Sequence, residues 1–167
     1  MSIGSTVQVE DIDCCLSQWA KKQPQQFALV DSQQRLTWQV LDKKLNQVAN
    51  TLIALGLQPN ERMAILGRNS VDYALLFLGG LRAGLCIVPL STLASPDSLA
   101  GMINDSEAKL LFVSQAYSDM VEPIADQLIN LVPNGIKNLD CEGDDRESFA
   151  SFIKNESTKE VLLPISL

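Results

Sequence analysis

The sequence predicts an α/β fold of three layers, a mostly parallel sheet with helices on both faces. Three observations carry that prediction. Short extended runs at residues 63–66, 85–88, 110–113 and 136–139 begin roughly 22 to 26 residues apart, the room a strand–helix–strand crossover needs. The segments between them repeat apolar residues at helical spacing. Strand runs such as 63–66 and 110–113 are apolar at every residue, the pattern of a parallel sheet covered on both sides.

Residues 1–10 are small, polar and without period, and predict a flexible terminus ahead of a single α/β subdomain over 11–167. A short helix over 13–22 carries Leu16, Trp19 and Ala20 on one face and stops at Pro24. Residues 27–31 and 35–37, around Ser32-Gln33-Gln34, predict a hairpin. Leu41, Leu45, Val48, Ala49 and Leu52 then form a single helical stripe. Thr37 is placed to cap that helix, Gly56 to close it, and Pro59 to prevent its continuation.

After the strand at 63–66, Ser70 caps a helix running to Ala83, which Gly84 follows. The strand at 85–88 is expected to be buried and is closed by Pro89. Ser95-Pro96 starts a helix with proline at its first position, directing Leu99, Met102 and Ile103 inward. Beyond the strand at 110–113, a further helix bears Val121, Ile124, Ala125, Leu128 and Val132, and Pro133-Asn134-Gly135 turns into the last strand. Residues 140–147 read as an acidic loop and 148–153 as a short helix with Phe149 and Phe152. The apolar stretch 161–167 would be uncovered at a natural C-terminus, so the chain is expected to be an interrupted one.

Composition narrows the function. A net charge of −7 repels phosphate backbones, which argues against nucleic acid and anionic membranes as partners. The sequence contains no histidine, which removes the commonest general base and metal ligand. Cys14, Cys15, Cys86 and Cys141 lack metal-ligand spacing and read as reduced thiols of a cytoplasmic protein. The apolar stretch 73–94 is no membrane span. Gly79, Gly80, Gly84 and Pro89 interrupt it, and Arg82 near a bilayer centre would cost at least ~2.5 kcal/mol. A buried helix followed by a strand accounts for it.

No glycine-rich phosphate cradle of either common type is present. Gly79-Gly80 lies within a helical pattern and reads as close helix packing. Asp11, Asp13, Asp144 and Asp145 read as solvated loop charge outside any calcium-loop spacing. Arg68 follows a strand and precedes a helix start, where ligands of α/β folds often sit, although a surface or interface role is the simpler reading. Arg82 is expected to lay its stem along the core with its head at the edge. From these features the residues establish a parallel α/β domain and no chemistry.

Several segments, in order, resemble the opening of the adenylate-forming superfamily of acyl-CoA synthetases, luciferases and peptide-synthetase adenylation domains. Leu36-Thr37-Trp38-Gln39-Val40-Leu41 is similar to its first core motif, with Trp for the usual Tyr and Val for the usual Glu. Val48-Ala49-Asn50-Thr51-Leu52 with Gly56-Leu57, and Met63-Ala64-Ile65-Leu66-Gly67-Arg68-Asn69-Ser70, resemble the stretches that follow. Leu81-Arg82-Ala83-Gly84-Leu85-Cys86-Ile87-Val88-Pro89-Leu90 resembles the second core motif, and Asp105-Ser106-Glu107-Ala108-Lys109-Leu110-Leu111-Phe112 the next. Each is weak alone; their order and spacing are specific.

The resemblance implies an intact enzyme that uses ATP and Mg to adenylate a carboxylate and then passes the acyl group to a thiol, commonly coenzyme A. In that family a Ser/Thr/Gly-rich loop ending in Lys, a Thr-Glu pair, a ribose-binding Asp and a Lys on a mobile C-terminal domain carry the chemistry. This sequence contains none of them in recognisable form. The resemblance therefore assigns no catalytic, cofactor-binding or metal residue here, and no cofactor to these residues alone. It implies an inactive N-terminal subdomain, truncated before the ATP-binding subdomain that would be its partner, and self-associating without it. The alternatives are a stand-alone interaction module that kept the fold, and a Rossmann-like nucleotide binder, which the missing glycine fingerprint disfavours. Reading the gene beyond the codon for Leu167 separates the first two.

Overall fold

The computed structural model describes residues 12–140, 153 and 157–161. The expectations for the N-terminal ten residues, Asp11, the loop beyond Asp140, Phe149, Phe152 and the tail after Val161 lie outside them. Helix α1 (Ile12–Lys22) is followed by β1 (Phe27–Val30) and β2 (Arg35–Thr37), an antiparallel hairpin separate from the main sheet. Then come α2 (Trp38–Ala54), β3 (Arg62–Leu66), α3 (Val71–Arg82), β4 (Cys86–Pro89), α4 (Pro96–Asp105) and β5 (Leu110–Val113). A broken helical segment containing α5 (Ser118–Val121) leads to β6 (Ile136–Asn138).

The main sheet is parallel throughout, in the order β4-β3-β5-β6. Alternation along its two central strands builds the layers, because successive side chains leave a strand on opposite faces. Met63, Ile65, Leu110 and Phe112 join α2 and α3 in one apolar cluster. Ala64, Leu66, Leu111 and Val113 join Leu99 and Ile103 of α4, with Val121 and Ile124, in the other. The predicted stripe of α2, Leu41 to Leu52, is buried as a whole. Gly79 has the packing role expected of it. A Cβ there would lie 2.5 Å from Val48 Cβ, so α3 can approach α2 only without a side chain at that position. Gly80 faces the sheet, where a Cβ would meet Ile87 Cδ1 at 2.5 Å.

Helix ends follow the sequence signals. Thr37, Ser70 and Ser95 each accept a backbone N–H three residues on, from Val40, Tyr73 and Ser98. Gly56 and Gly84 take φ of 89° and 76° just past α2 and α3, a conformation glycine enters without strain. Asp31 adds a tertiary cap. Its carboxylate accepts Val71 N at the start of α3 (2.9 Å) and Gln33 N and Gln34 N of the hairpin turn (2.8 Å each).

Those three N–H groups, Val71 first, hold the Asp31 carboxyl below its ordinary value. A depressed folded pKa stabilises the fold above the unfolded pKa of about 4, and that contribution vanishes as pH falls through the lower folded value. The melting-temperature gap between wild type and Asp31→Ala is therefore expected to be widest near neutrality and to close in acid. A gap independent of pH would show that the carboxylate charge is irrelevant to this junction.

Three sequence expectations are corrected, for the helix over Val121 to Val132, for Met102 and for β4. The helix drawn through Val121 to Val132 is instead a 3₁₀ turn at Gln115–Tyr117, the single turn α5, and a second 3₁₀ stretch at Glu122–Gln127. Pro123 has no N–H for the carbonyl of Asp119 and its ring crowds that carbonyl, so α-helix cannot pass. Val132 falls beyond this stretch and is exposed, whereas Val121, Ile124 and Leu128 are buried. Met102 is 37% exposed; Leu99 and Ile103 alone point into the core from α4. Trp19 is also exposed and stacks on Trp38 with ring centroids 5.9 Å apart, a surface clasp between α1 and α2. Lastly, β4 lies one residue later than drawn and is a half-exposed edge strand. Cys86 N bonds to Glu61 O just before β3 and Leu90 N to Ile65 O within it, so the nitrogen at position 89 faces outward, and Pro89 leaves no donor there to go unpaired.

Candidate functional site

In open parallel sheets, ligands bind beyond the carboxyl ends of the strands where the connections diverge. Here the chain runs from β3 through α3 to β4 on one face, then returns through α4 on the other face to β5 on the far side of β3. The divergence lies between β3 and β5. The residues that follow these two strands and β6 are Gly67, Arg68 and Asn69, Ser114 and Gln115, and Leu139 and Asp140.

Arg68, the one site candidate of the sequence reading, is at this rim and exposed. Its Nε donates to Tyr117 Oη at 3.0 Å, which spans the divergence from the β3 side to the β5 side. Ser114 is buried, its N–H bonded to Leu66 O at 2.8 Å. Asp140 accepts Gln115 N at 2.7 Å and so fixes the first turn after β5. Tyr117 and Asp140 escaped the sequence reading. Both lie just past strand ends, which is a usable signal only when the strand order is known.

Gly67 shows what this rim does not offer. A Cβ on it would lie 2.6 Å from Ser114 Oγ and 2.9 Å from Leu139 Cδ2. Side chains of neighbouring strands thus fill the space that a phosphate-cradling glycine keeps open. The described rim residues supply one guanidinium, already bonded to a phenol, and no group of three or more carboxylates or thiols that could hold a metal exists among the described residues. A Mg-bound triphosphate needs several cations and backbone donors converging on it. These residues do not fit that group by themselves, so no step of adenylation is derived from them.

Arg82 is the second polar cluster, and its position corrects the sequence reading. Its head lies inside, between α1, α2 and α3, rather than at the edge. Nη2 pairs with Asp42 Oδ1 at 3.0 Å and donates to Ser17 Oγ at 3.3 Å. Nη1 donates to Asp42 O at 3.0 Å and Asn46 Oδ1 at 2.9 Å. An Arg with these partners is a structural staple, held by the fork geometry that Lys lacks. None of the described helices is long and apolar enough to cross a membrane, in keeping with the reading of 73–94 as a helix and a strand.

Known proteins place the fold. Residues 16–161 match the protein family described as AMP-binding enzyme. The chain is 33% identical over 101 residues, 60% of its length, to gramicidin S synthase 2 of Brevibacillus brevis, covering 2% of that protein. It is 30% identical over 105 residues, 63% of its length, to the 4-hydroxybenzoate–CoA/benzoate–CoA ligase of Rhodopseudomonas palustris, covering 20% of it. Among solved structures, the anthranilate CoA ligase AuaEII in complex with anthranoyl-AMP superimposes with a TM-score of 0.81 at 25% identity, over 88% of this chain and 28% of that one. The chain therefore spans a fifth or less of these two curated relatives. With the motif order of its sequence, the parallel sheet and a family match across most of its length in agreement, this chain belongs to the AMP-binding, adenylate-forming enzyme family.

Proposed function

We propose that this chain serves as a non-catalytic N-terminal α/β subdomain of an acyl-CoA-synthetase-like ligase, supporting an ATP-binding subdomain that carries the chemistry. The observation behind this reading is the filled rim at Gly67: a family match runs across residues 16–161, yet the space beside Gly67, just past the end of β3, is taken by the side chains of Ser114 and Leu139. In the whole enzyme ATP, Mg and coenzyme A would be used, the first two to adenylate a carboxylate and the last as the thiol that receives the acyl group. Some relatives support coenzyme A by name, as a benzoate ligase does; another is a fatty acid–acyl-carrier-protein ligase of Streptomyces coeruleorubidus, which keeps a carrier protein as the alternative acceptor.

Purified chain is expected to give carboxylate-dependent ATP–pyrophosphate exchange at the level of a blank without protein. Exchange clearly above that blank, with the protein's purity verified, would overturn the scaffold reading. The natural partner under this proposal is the ATP-binding subdomain of the same enzyme. Apolar side chains already face solvent at Phe27 and Val30 on the hairpin and Ile136 on β6. Light scattering across a dilution series is therefore expected to show dimers or larger species of the isolated chain. A monomer at every concentration would favour an independent module whose surface is adapted to water.

A further inference from the structure

Residues 157–161 cross back over α2, more than a hundred positions later in sequence. The segment ends in the apolar contact of Val161 with the α2–α3 cluster. Between, three consecutive backbone carbonyls are taken by two side chains one helical turn apart on α2. Asn50 Nδ2 donates to Ser157 O at 2.8 Å and to Lys159 O at 3.1 Å. Asn46 Nδ2 donates to Thr158 O at 3.1 Å. The side chains of Ser157, Thr158 and Lys159 remain exposed, so α2 reads the backbone of this strap and not its sequence.

Asn46 has a second neighbour that fixes which way its amide points. Arg82 can only donate, and the Thr158 carbonyl can only accept. The amide oxygen must therefore face Arg82 Nη1, at 2.9 Å, and the nitrogen must face the strap. Arg82 is itself anchored by Asp42 on α2 and Ser17 on α1. A buried ion pair at the junction of three helices thereby sets the orientation of a donor aimed at a fourth segment.

We propose that Asn46 and Asn50 form a backbone clamp that latches strap 157–161 onto α2, with Arg82 as the positioning residue that keeps Asn46 turned toward it. Apart from the Val161 contact, the strap is held by hydrogen bonds that water can replace one at a time, so its release needs only local opening and not unfolding of the domain. This goes beyond the scaffold reading and does not depend on it.

Trypsin cleavage between Lys159 and Glu160, measured on the full chain and divided by the rate of cleavage elsewhere in it, reports release. Asn50→Asp removes both of its donors and sets a carboxylate against two carbonyls; the ratio is expected to rise about tenfold. Asn46→Asp keeps an acceptor for Arg82 but loses the donor to Thr158, and the ratio is expected to rise about fivefold. Arg82→Lys should raise it in the wild-type background yet add nothing in the Asn46→Asp background, because its effect passes through that amide. A ratio unchanged within about twofold in both asparagine variants would overturn the clamp. Equal effects of Arg82→Lys in the two backgrounds would overturn the positioning role. Asn50 is half-buried at the surface of α2, so its variant remains informative even where the Arg82 variant fails to fold.

Discussion

Leu45→Ala and Leu52→Ala are each expected to lower the free energy of unfolding by about 2–5 kcal/mol, the range for emptying a fully buried leucine site. Both side chains have no exposed surface and belong to the cluster that α2 shares with α3 and the sheet. The upper part of the range is expected at Leu45. Beside it α3 packs so tightly on α2 that a Cβ on Gly79 would lie 2.5 Å from Val48 Cβ, which leaves the two helices little room to close on the cavity. A domain of this size has only ~5–15 kcal/mol of stability, so either change leaves little margin for soluble expression. Urea denaturation provides the measurement. Midpoints unchanged by both substitutions would mean that α2 is not packed on this cluster.

Arg82→Ala is expected to cost about 3 kcal/mol, the low end of the range for removing one partner of a buried ion pair. The low end applies because the Asp42 side chain keeps 29% of its surface exposed, against 3% for Arg82, and can recover some hydration once unpaired. Most of the loss comes instead from buried Asn46 Oδ1, which would lose its donor. Arg82→Lys should recover part of the stability, because an ammonium satisfies the carboxylate but cannot reach along both prongs of the guanidinium. An Arg82→Ala variant within about 0.5 kcal/mol of wild type, the range of an ordinary surface change, would show that the network contributes packing alone.

The buried guanidinium also marks where sequence reasoning reached its limit. An arginine inside an apolar run is legible as buried along its stem. Its head reads as lying at the edge because Asp42, Asn46 and Ser17 are 36 to 65 positions away, and nothing local joins them to it. The clamp on 157–159 is invisible for the same reason, with partners 107 to 112 positions apart. At the rim, Arg68 could be placed after a strand, but Tyr117 becomes its partner, and Asp140 that of Gln115, only through the order in which strands lie side by side. Pro123 was different. Its effect is local and legible in the sequence: a proline inside the helical stripe outweighs the regular spacing of Val121, Ile124 and Leu128. Those three residues are buried, but from a chain whose hydrogen-bonding changes at the proline.

What the sequence determined by itself was most of what short-range sterics and periodicity govern. Thr37, Ser70 and Ser95 cap where their side chains can reach a nearby N–H, Gly56 and Gly84 end helices where a positive φ is required, and the apolar spacing separates strand from helix. Together with the ordered motifs, those signals fixed the fold class and the family. The tertiary structure alone decided the strand order β4-β3-β5-β6, and with it which strands are edges. It also decided that Gly67 is packed against Ser114 and Leu139 rather than open to a ligand. Strand order depends on which helix covers which face, a contest of burial over the whole chain, and a polar side chain's partner depends on that order. The chemistry of individual polar groups is set last, by distances that local sequence does not encode.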